Sequence, residues 1–255
     1  MISFLRNFRQ KLIAENKFSK YLIYAIGEIV LVVIGILIAL GVNNWNQDKK
    51  DQRLGKELLI RIQRDLVKDT LNFKSSIDRN NRLRKDLKSL LVNLYDGVDS
   101  IEEVQSMSET WDQLLDQAFS PNDNTYQSIL SSGSLGLIAN QDLKDAIINL
   151  YSDYEETKVL LSSISDWMIG LASNMDSQTN FIKFGSTVSD IYTTADMFNE
   201  EDFAFLNQKD GPEFKLFVRA ISGAAFYQKV NNSYRETLIK KCHILLQAID
   251  KELND

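Results

Sequence analysis

An uninterrupted apolar segment lies near the N-terminus, from Tyr21 to Val42, and it contains a single charged residue, Glu28. As a helix, this segment is roughly 33 Å long at about 1.5 Å per residue, enough to cross a hydrocarbon core of about 30 Å. We therefore predict a transmembrane helix at residues 21–42. The alternatives are a soluble buried helix and a cleaved signal peptide, whose apolar region is usually shorter.

Beyond this span, apolar residues recur at the three-to-four spacing of amphipathic helices. The first such helix is predicted to extend through residues 43–95, with polar interruptions around Asp69 and Asn80, and to end at Asp96-Gly97. The chain has only 11 Gly and 2 Pro in 255 residues, which favours long helices over a turn-rich β fold.

Two further long helices are predicted in the second half of the chain. Asn140 is a candidate N-cap for one of them, and Pro212 suits the first turn of the other, which continues to about Glu252. The polar stretch 228–235 predicts a kink in the last helix. The apolar positions predicted to face the core are Leu143, Ile147, Leu150, Tyr154, Leu161, Met168, Leu171, Met175, Phe214, Phe217, Ile221, Ala225, Leu238, Cys242, Leu245 and Ile249.

Shorter elements connect the long helices. Ser100-Ile-Glu-Glu103 matches a capping box, and another short helix is predicted from Trp111 to Ala118. Asn124 is a candidate cap for a helical turn that ends at Gly133 in a left-handed conformation. We interpret this region as a helix–turn–helix, with a binding site at residues 131–134 as the alternative. The residues that define it are Asn124, Ser132, Gly133 and Asn140.

Residues 176–210 are less periodic and rich in aromatic side chains. Packing against the helices is one interpretation. Contact with lipid headgroups is the other, on the condition that the preceding helix runs back toward the membrane.

The predicted fold class is therefore all-α, with a single N-terminal transmembrane helix followed by an extracytoplasmic bundle of three long and several short helices. The predicted domains are a basic segment at 1–20, the span at 21–42 and the helical bundle at 43–255. The basic segment is interpreted either as an amphipathic helix on the inner leaflet or as a flank that only fixes orientation.

One face of the predicted span collects its unusual residues. At about 100° per residue, Val32, Gly35 and Ala39 lie within about 40° of Glu28. Gly35 and Ala39 form a small-x-x-x-small pattern that allows close helix approach. We expect Glu28 to mark a contact face. There are two alternatives. Glu28 is an acidic side chain that extends to the inner headgroups, or it belongs to a proton or ion pathway.

Charge predicts the orientation of the span. Residues 1–20 carry a net +4, whereas residues 43–255 carry 24 basic and 33 acidic side chains, a net −9. The positive-inside rule therefore places the N-terminus in the cytoplasm. Tyr21 and Tyr24 at one end and Trp45 at the other suit the two membrane interfaces. An acidic outer domain argues against nucleic acid as a partner.

The residue inventory limits the chemistry. With one histidine, His243, the chain can form neither an HExxH zinc site nor a di-iron bundle site. It contains no Walker A, Gly-x-Ser-x-Gly or Gly-x-Gly-x-x-Gly motif. Glu200-Glu201-Asp202 is interpreted as a solvated helix start, with weak calcium binding as the alternative. We expect no catalytic residues, no metal and no cofactor, and hence not an enzyme.

Two stretches resemble a known family. ENKFSKYLIYAIGEIVLVVIGILIALGVNNWN, with its Gly27-Glu28 pair and Asn43-Asn44-Trp45 exit, resembles the signature of an uncharacterised family of single-span membrane proteins from Bacteroidota. SSGSLGLIANQDLKDAII resembles that family's second block. The resemblance implies a helical outer domain in the periplasm and an anchor in the bacterial inner membrane, and it implies no activity.

The sequence thus predicts a membrane-anchored, non-enzymatic interaction or assembly protein. Its span would associate with itself or with a partner membrane protein, and its bundle would project into the periplasm. The alternative is a periplasmic ligand-binding or sensing module that acts through a partner membrane protein.

Overall fold

A computed structural model describes residues 18–113, 119–192 and 194–254. These ranges are predominantly helical and contain no β-strand, so the predicted all-α class is confirmed. Most of the predicted basic segment, residues 1–17, lies outside the described residues. The α-helices are α1 (Phe18–Asp96), α2 (Ile101–Asp112), α3 (Asn124–Ser131), α4 (Gln141–Thr179) and α5 (Pro212–Asn254), and short 3₁₀ turns lie between α3 and α4 and between α4 and α5.

The chain divides into two units, Met1–Gly55 and Lys56–Asp255. In the described part of the first unit, the apolar side chains of α1 are exposed. An 18-residue window there has a mean hydropathy of 2.8, and none of it is buried. By length and composition this segment of α1 can cross a membrane. The first long helix ends as predicted, because Gly97 adopts a φ of +116° that stops it.

The second unit buries two apolar cores. Core 1 contains side chains from residues 59–73 of α1, α3, the first half of α4 and the last half of α5. Core 2 contains side chains from residues 83–94 of α1, α2, the last half of α4, the 3₁₀ turns and the first half of α5. Within this unit α1 and α4 therefore run in the same direction, and α5 runs against both.

Burial shows the role of three side chains of the aromatic segment. Phe181, Phe184 and Phe205 are buried in core 2 through a series of 3₁₀ turns. Phe181 lies 4.7 Å from Phe217 of α5, ring centre to ring centre. Packing is thus the observed role of these three phenylalanines.

Several short elements differ from their predicted form. Trp111 lies in the last turn of α2 and does not start a new helix, while Ala118 lies outside the described residues. Ser100 caps α2 as predicted, accepting from the backbone N of Glu103 at 3.3 Å. The Glu103 carboxylate, however, accepts from the backbone N of Asp99 rather than from Ser100.

The last helix is continuous through the polar stretch at which the sequence predicts a kink, and the kink itself stays a prediction. Helix α5 begins at Pro212 as predicted, and its helical assignment continues to Asn254 without interruption. Gln228, Asn231 and Arg235, which suggested a kink by their polarity, are buried against the other helices. A polar residue interrupts an apolar stripe in sequence but does not interrupt a helix if its side chain remains on the packed face.

Candidate functional site

In the first unit, the predicted contact face lies on one continuous helix. Glu28, Val32, Gly35 and Ala39 are all exposed on α1, and helical geometry places them along one side. A Cβ added at Gly35 would meet no atom within 4 Å, so the backbone there is open to close approach. This arrangement leaves an acid and two small residues on one accessible surface.

The predicted interfacial anchors are described only in part. Trp45 is 64% exposed, as an interfacial side chain needs to be. The side chains of Tyr21 and Tyr24 lie outside the described part of the chain.

The loop between α3 and α4 forms a tight turn. Gly133 has a φ of +68°, as predicted for a left-handed C-cap. Asn124 is the first residue of α3, and its neighbour Asp123 takes the N-cap position, so the prediction that Asn124 caps the helix is wrong. The Ser132 hydroxyl donates to the carbonyl oxygen of Ser128 at 2.8 Å, within the turn itself.

Asn140 caps α4 as predicted. Its side-chain oxygen accepts from the backbone N of Leu143 at 3.1 Å. Its amide nitrogen donates to the carboxylate of Glu252 at 2.7 Å, which ties the start of α4 to the end of α5. The hydrogen bonds of Ser132 and Asn140 thus hold the local fold, and they favour the structural interpretation of this loop.

A set of buried polar side chains lies between core 1 and core 2, and sequence reasoning did not assign it to the interior. We call this set the polar layer; its members are Asn80, Gln228, Asn231, Asn232 and Arg235, all at most 5% exposed. The Asn80 amide donates to the side-chain oxygens of Asn232 at 2.8 Å and Asn231 at 3.2 Å. These bonds join the last quarter of α1 to the middle of α5.

A signal for the polar layer was present in the sequence. Eleven of the fifteen buried positions of α5 form a series that alternates steps of three and four residues, and this series does not stop at the polar stretch. Gln228, Asn231 and Arg235 occupy its central positions, and Asn80 continues the same alternation on α1. Extending the spacing through the polar residues would have placed them inside. The positions on α5 are 214, 217, 221, 224, 228, 231, 235, 238, 242, 245 and 249.

Arg235 is the most unusual member of the polar layer. Its guanidinium lies over the ring of Phe119, 5.4 Å from the centroid. Among the described residues, its Nε and Nη1 have no hydrogen-bond partner, and no ion pair joins it to a carboxylate. The pKa of Arg235 is lowered to about 10, mainly by burial; Tyr227 acts to raise it and Arg79 acts to lower it.

A second buried group, the Asp69 cluster, comprises Asp69, Asn122, Tyr154 and Cys242. The fully buried Asp69 carboxylate accepts from the backbone N of Asn122 at 2.8 Å, from its amide at 2.6 Å and from the Tyr154 hydroxyl at 3.1 Å. The same hydroxyl lies 3.1 Å from the sulfur of Cys242. Asp69 thus holds the segment before α3 against α1 and α4.

Burial raises the pKa values of acidic groups in the Asp69 cluster. Burial raises the pKa of Asp69 above its ordinary value, although its hydrogen bonds act to lower it. Burial also raises the pKa of the Cys242 thiol to about 11, so the thiolate that would act as a nucleophile is disfavoured. No group of three His, Cys, Asp or Glu side chains placed to hold a metal ion occurs among the described residues.

Together, the fold and these groups define an all-helical protein whose N-terminal helix is long and apolar enough to cross a membrane. The model of the family of unknown function DUF6090 matches residues 28–208, more than half of the chain, and the protein belongs to that family. No curated protein and no solved structure matches the chain. The matched region includes the face of Glu28, the α3–α4 loop and the Asp69 cluster as far as Tyr154.

Proposed function

We propose that the protein is a membrane-anchored, non-enzymatic interaction or assembly protein. In this proposal residues 21–42 span the bacterial inner membrane, the N-terminus is cytoplasmic and the helical bundle is periplasmic. The span associates with a second copy or with a partner membrane protein through Glu28, Val32, Gly35 and Ala39. The observation that carries the proposal is the alignment of an acid and two small residues on one exposed helix face.

The energetics of insertion support a contact role for Glu28. An acidic side chain at the centre of a membrane helix costs about 2.5–3.5 kcal/mol on insertion scales. Glu28 lies about 10 Å from the cytoplasmic end of the span, where the cost is smaller. A polar group on a neighbouring helix offsets the remaining cost, and Gly35 and Ala39 allow that helix to come close.

Site-specific photo-crosslinking in native membranes tests which face makes the contact. A photoreactive amino acid replaces Val32, on the proposed face, or Val30, on the opposite face of the same helix. We expect a discrete protein adduct from position 32, either of twice the chain's mass or with another membrane protein. Position 30 should give mainly lipid adducts. Equal adducts from the two positions, or protein adducts from neither, would contradict the proposal.

A second candidate function is ligand sensing by the bundle through a partner membrane protein. The observation that favours it is the buried guanidinium of Arg235, which retains N–H groups without a hydrogen-bond partner among the described residues. Protection of the second unit from proteolysis by added ligand tests this function. A response that requires the intact polar layer would support it, and a protection pattern unchanged by any ligand would count against it.

A further inference from the structure

The polar layer contains more unpartnered donors than unpartnered acceptors. Asn231 Nδ2, Gln228 Nε2 and both Nε and Nη1 of Arg235 are buried without a hydrogen-bond partner among the described residues. The corresponding acceptors are only Gln228 Oε1 and Asn80 Oδ1. This excess of donors, one of which carries a full positive charge, favours an electron-rich guest over a cation.

Among the described residues, no carboxylate neutralises the charge of Arg235. The described groups that act on its pKa besides burial are Tyr227 and Arg79, and neither is a carboxylate. The Asp69 carboxylate is engaged by Asn122 and by Tyr154 instead. The ring of Phe119 offers a cation–π contact to the guanidinium, but a ring face accepts no directed hydrogen bond from the in-plane N–H groups.

Burial makes this arrangement selective for a small guest. Arg235 is 3% exposed, and Gln228 and Asn231 are fully buried. Such burial limits any guest to a few heavy atoms, and one negative charge matches the one guanidinium. A planar carboxylate satisfies both conditions and pairs with the planar N–H fork of arginine, whereas a phosphate is bulkier and carries more charge.

We propose that Arg235, together with the amide of Asn231 one helical turn away, binds a small carboxylate anion inside the bundle, between core 1 and core 2. This inference rests on the second candidate function, to which it assigns a class of ligand. It is independent of assembly through the span, since the proposed binding groups all lie in the second unit. A negative binding result and a negative crosslinking result are therefore distinguishable.

Thermal unfolding of the full-length protein in mild detergent tests the proposal, with acetate as the probe. Sodium acetate replaces sodium chloride at constant sodium concentration, and acetamide serves as the neutral molecule of the same shape. A ligand that binds only the folded state raises the Tm in proportion to its occupancy. We expect the Tm of the wild-type protein to rise with acetate and to stay unchanged with acetamide.

Two variants test whether the rise of the Tm with acetate depends on Arg235. Arg235→Met removes the donors and the charge while it keeps an unbranched side chain, and its apparent affinity for acetate should fall at least tenfold. Lys240→Met removes an exposed charge from the same helix and should respond as the wild type does. An equal acetate response in Arg235→Met would overturn the proposal, as would a wild-type Tm that acetate does not raise. If Arg235→Met does not fold, the comparison of acetate with acetamide on the wild-type protein still tests the proposal.

Discussion

The Asp69 cluster makes a quantitative prediction about stability. Asp69→Ala removes the acceptor for three hydrogen bonds, two from Asn122 and one from Tyr154. A typical hydrogen bond contributes about 0.5–1.5 kcal/mol net, so three of them contribute roughly 1.5–4.5 kcal/mol. Asp69→Ala also removes the free-energy cost of burying the carboxylate, and this gain offsets part of the loss. We expect Asp69→Ala to lower the free energy of unfolding by about 2 kcal/mol.

Asp69→Asn is the matched control, because it removes the charge but keeps the shape. Its side-chain oxygen can still accept from Asn122, and its amide can donate to the Tyr154 hydroxyl, which then donates to Cys242. We therefore expect Asn at this position to cost less than about 1 kcal/mol at neutral pH, and less than Ala. Urea unfolding of the full-length protein in mild detergent, followed by circular dichroism, measures both variants.

The pH dependence separates charge from hydrogen bonding at Asp69. Because the pKa of Asp69 is raised in the folded state, the folded protein holds this proton more tightly than the unfolded chain. The stability of the wild type relative to Asp69→Asn should therefore fall as pH rises from the ordinary aspartate value through the raised one, and then level off. The reasoning would be refuted if the stability of the wild type relative to Asp69→Asn rose with pH. It would also be refuted if Asp69→Ala were as stable as the wild type.

Three further substitutions test the fold, each by the same urea unfolding measurement. Phe217→Ala empties a fully buried position against Phe181 and should cost about 3–5 kcal/mol; a cost below about 1 kcal/mol would contradict its place in core 2. Asn140→Ala removes the cap of α4 and should cost about 1 kcal/mol, and no loss would contradict the capping bond. Gly133→Ala forces a side chain into a φ of +68° and should cost about 1 kcal/mol. Gly136→Ala, which meets open space without a left-handed φ, should cost less; an equal cost would refute the conformational argument.

The sequence predicted the long helices well because their signal is local. Apolar spacing, the Gly97 stop, the Asn140 cap and Pro212 all act within one or two helical turns, and the structure contains each of them. The capping prediction for Asn124 failed by one position, because Asp123 occupies the N-cap position, although its side chain makes no capping hydrogen bond.

The direction of α4 and the interior of the bundle were harder to predict, because both depend on contacts distant in sequence. The connection from α1 to α4 passes through α2 and α3, and no local pattern fixed where that connection would end. Asn80 and Asn231 are 151 residues apart in the chain and become acceptable in the interior only when they meet. The polarity of residues 228–235 therefore gave no indication that their side chains are buried, although the spacing of the buried positions is regular.

The central proposal, assembly through the face of Glu28, is tested most directly by the mass and subunit composition of the native complex. The protein is extracted in mild detergent at its native expression level, with the wild type beside Glu28→Leu. We expect a defined oligomer or hetero-complex for the wild type, and its dissociation in the variant. Identical monomers in the two samples would contradict assembly through this face.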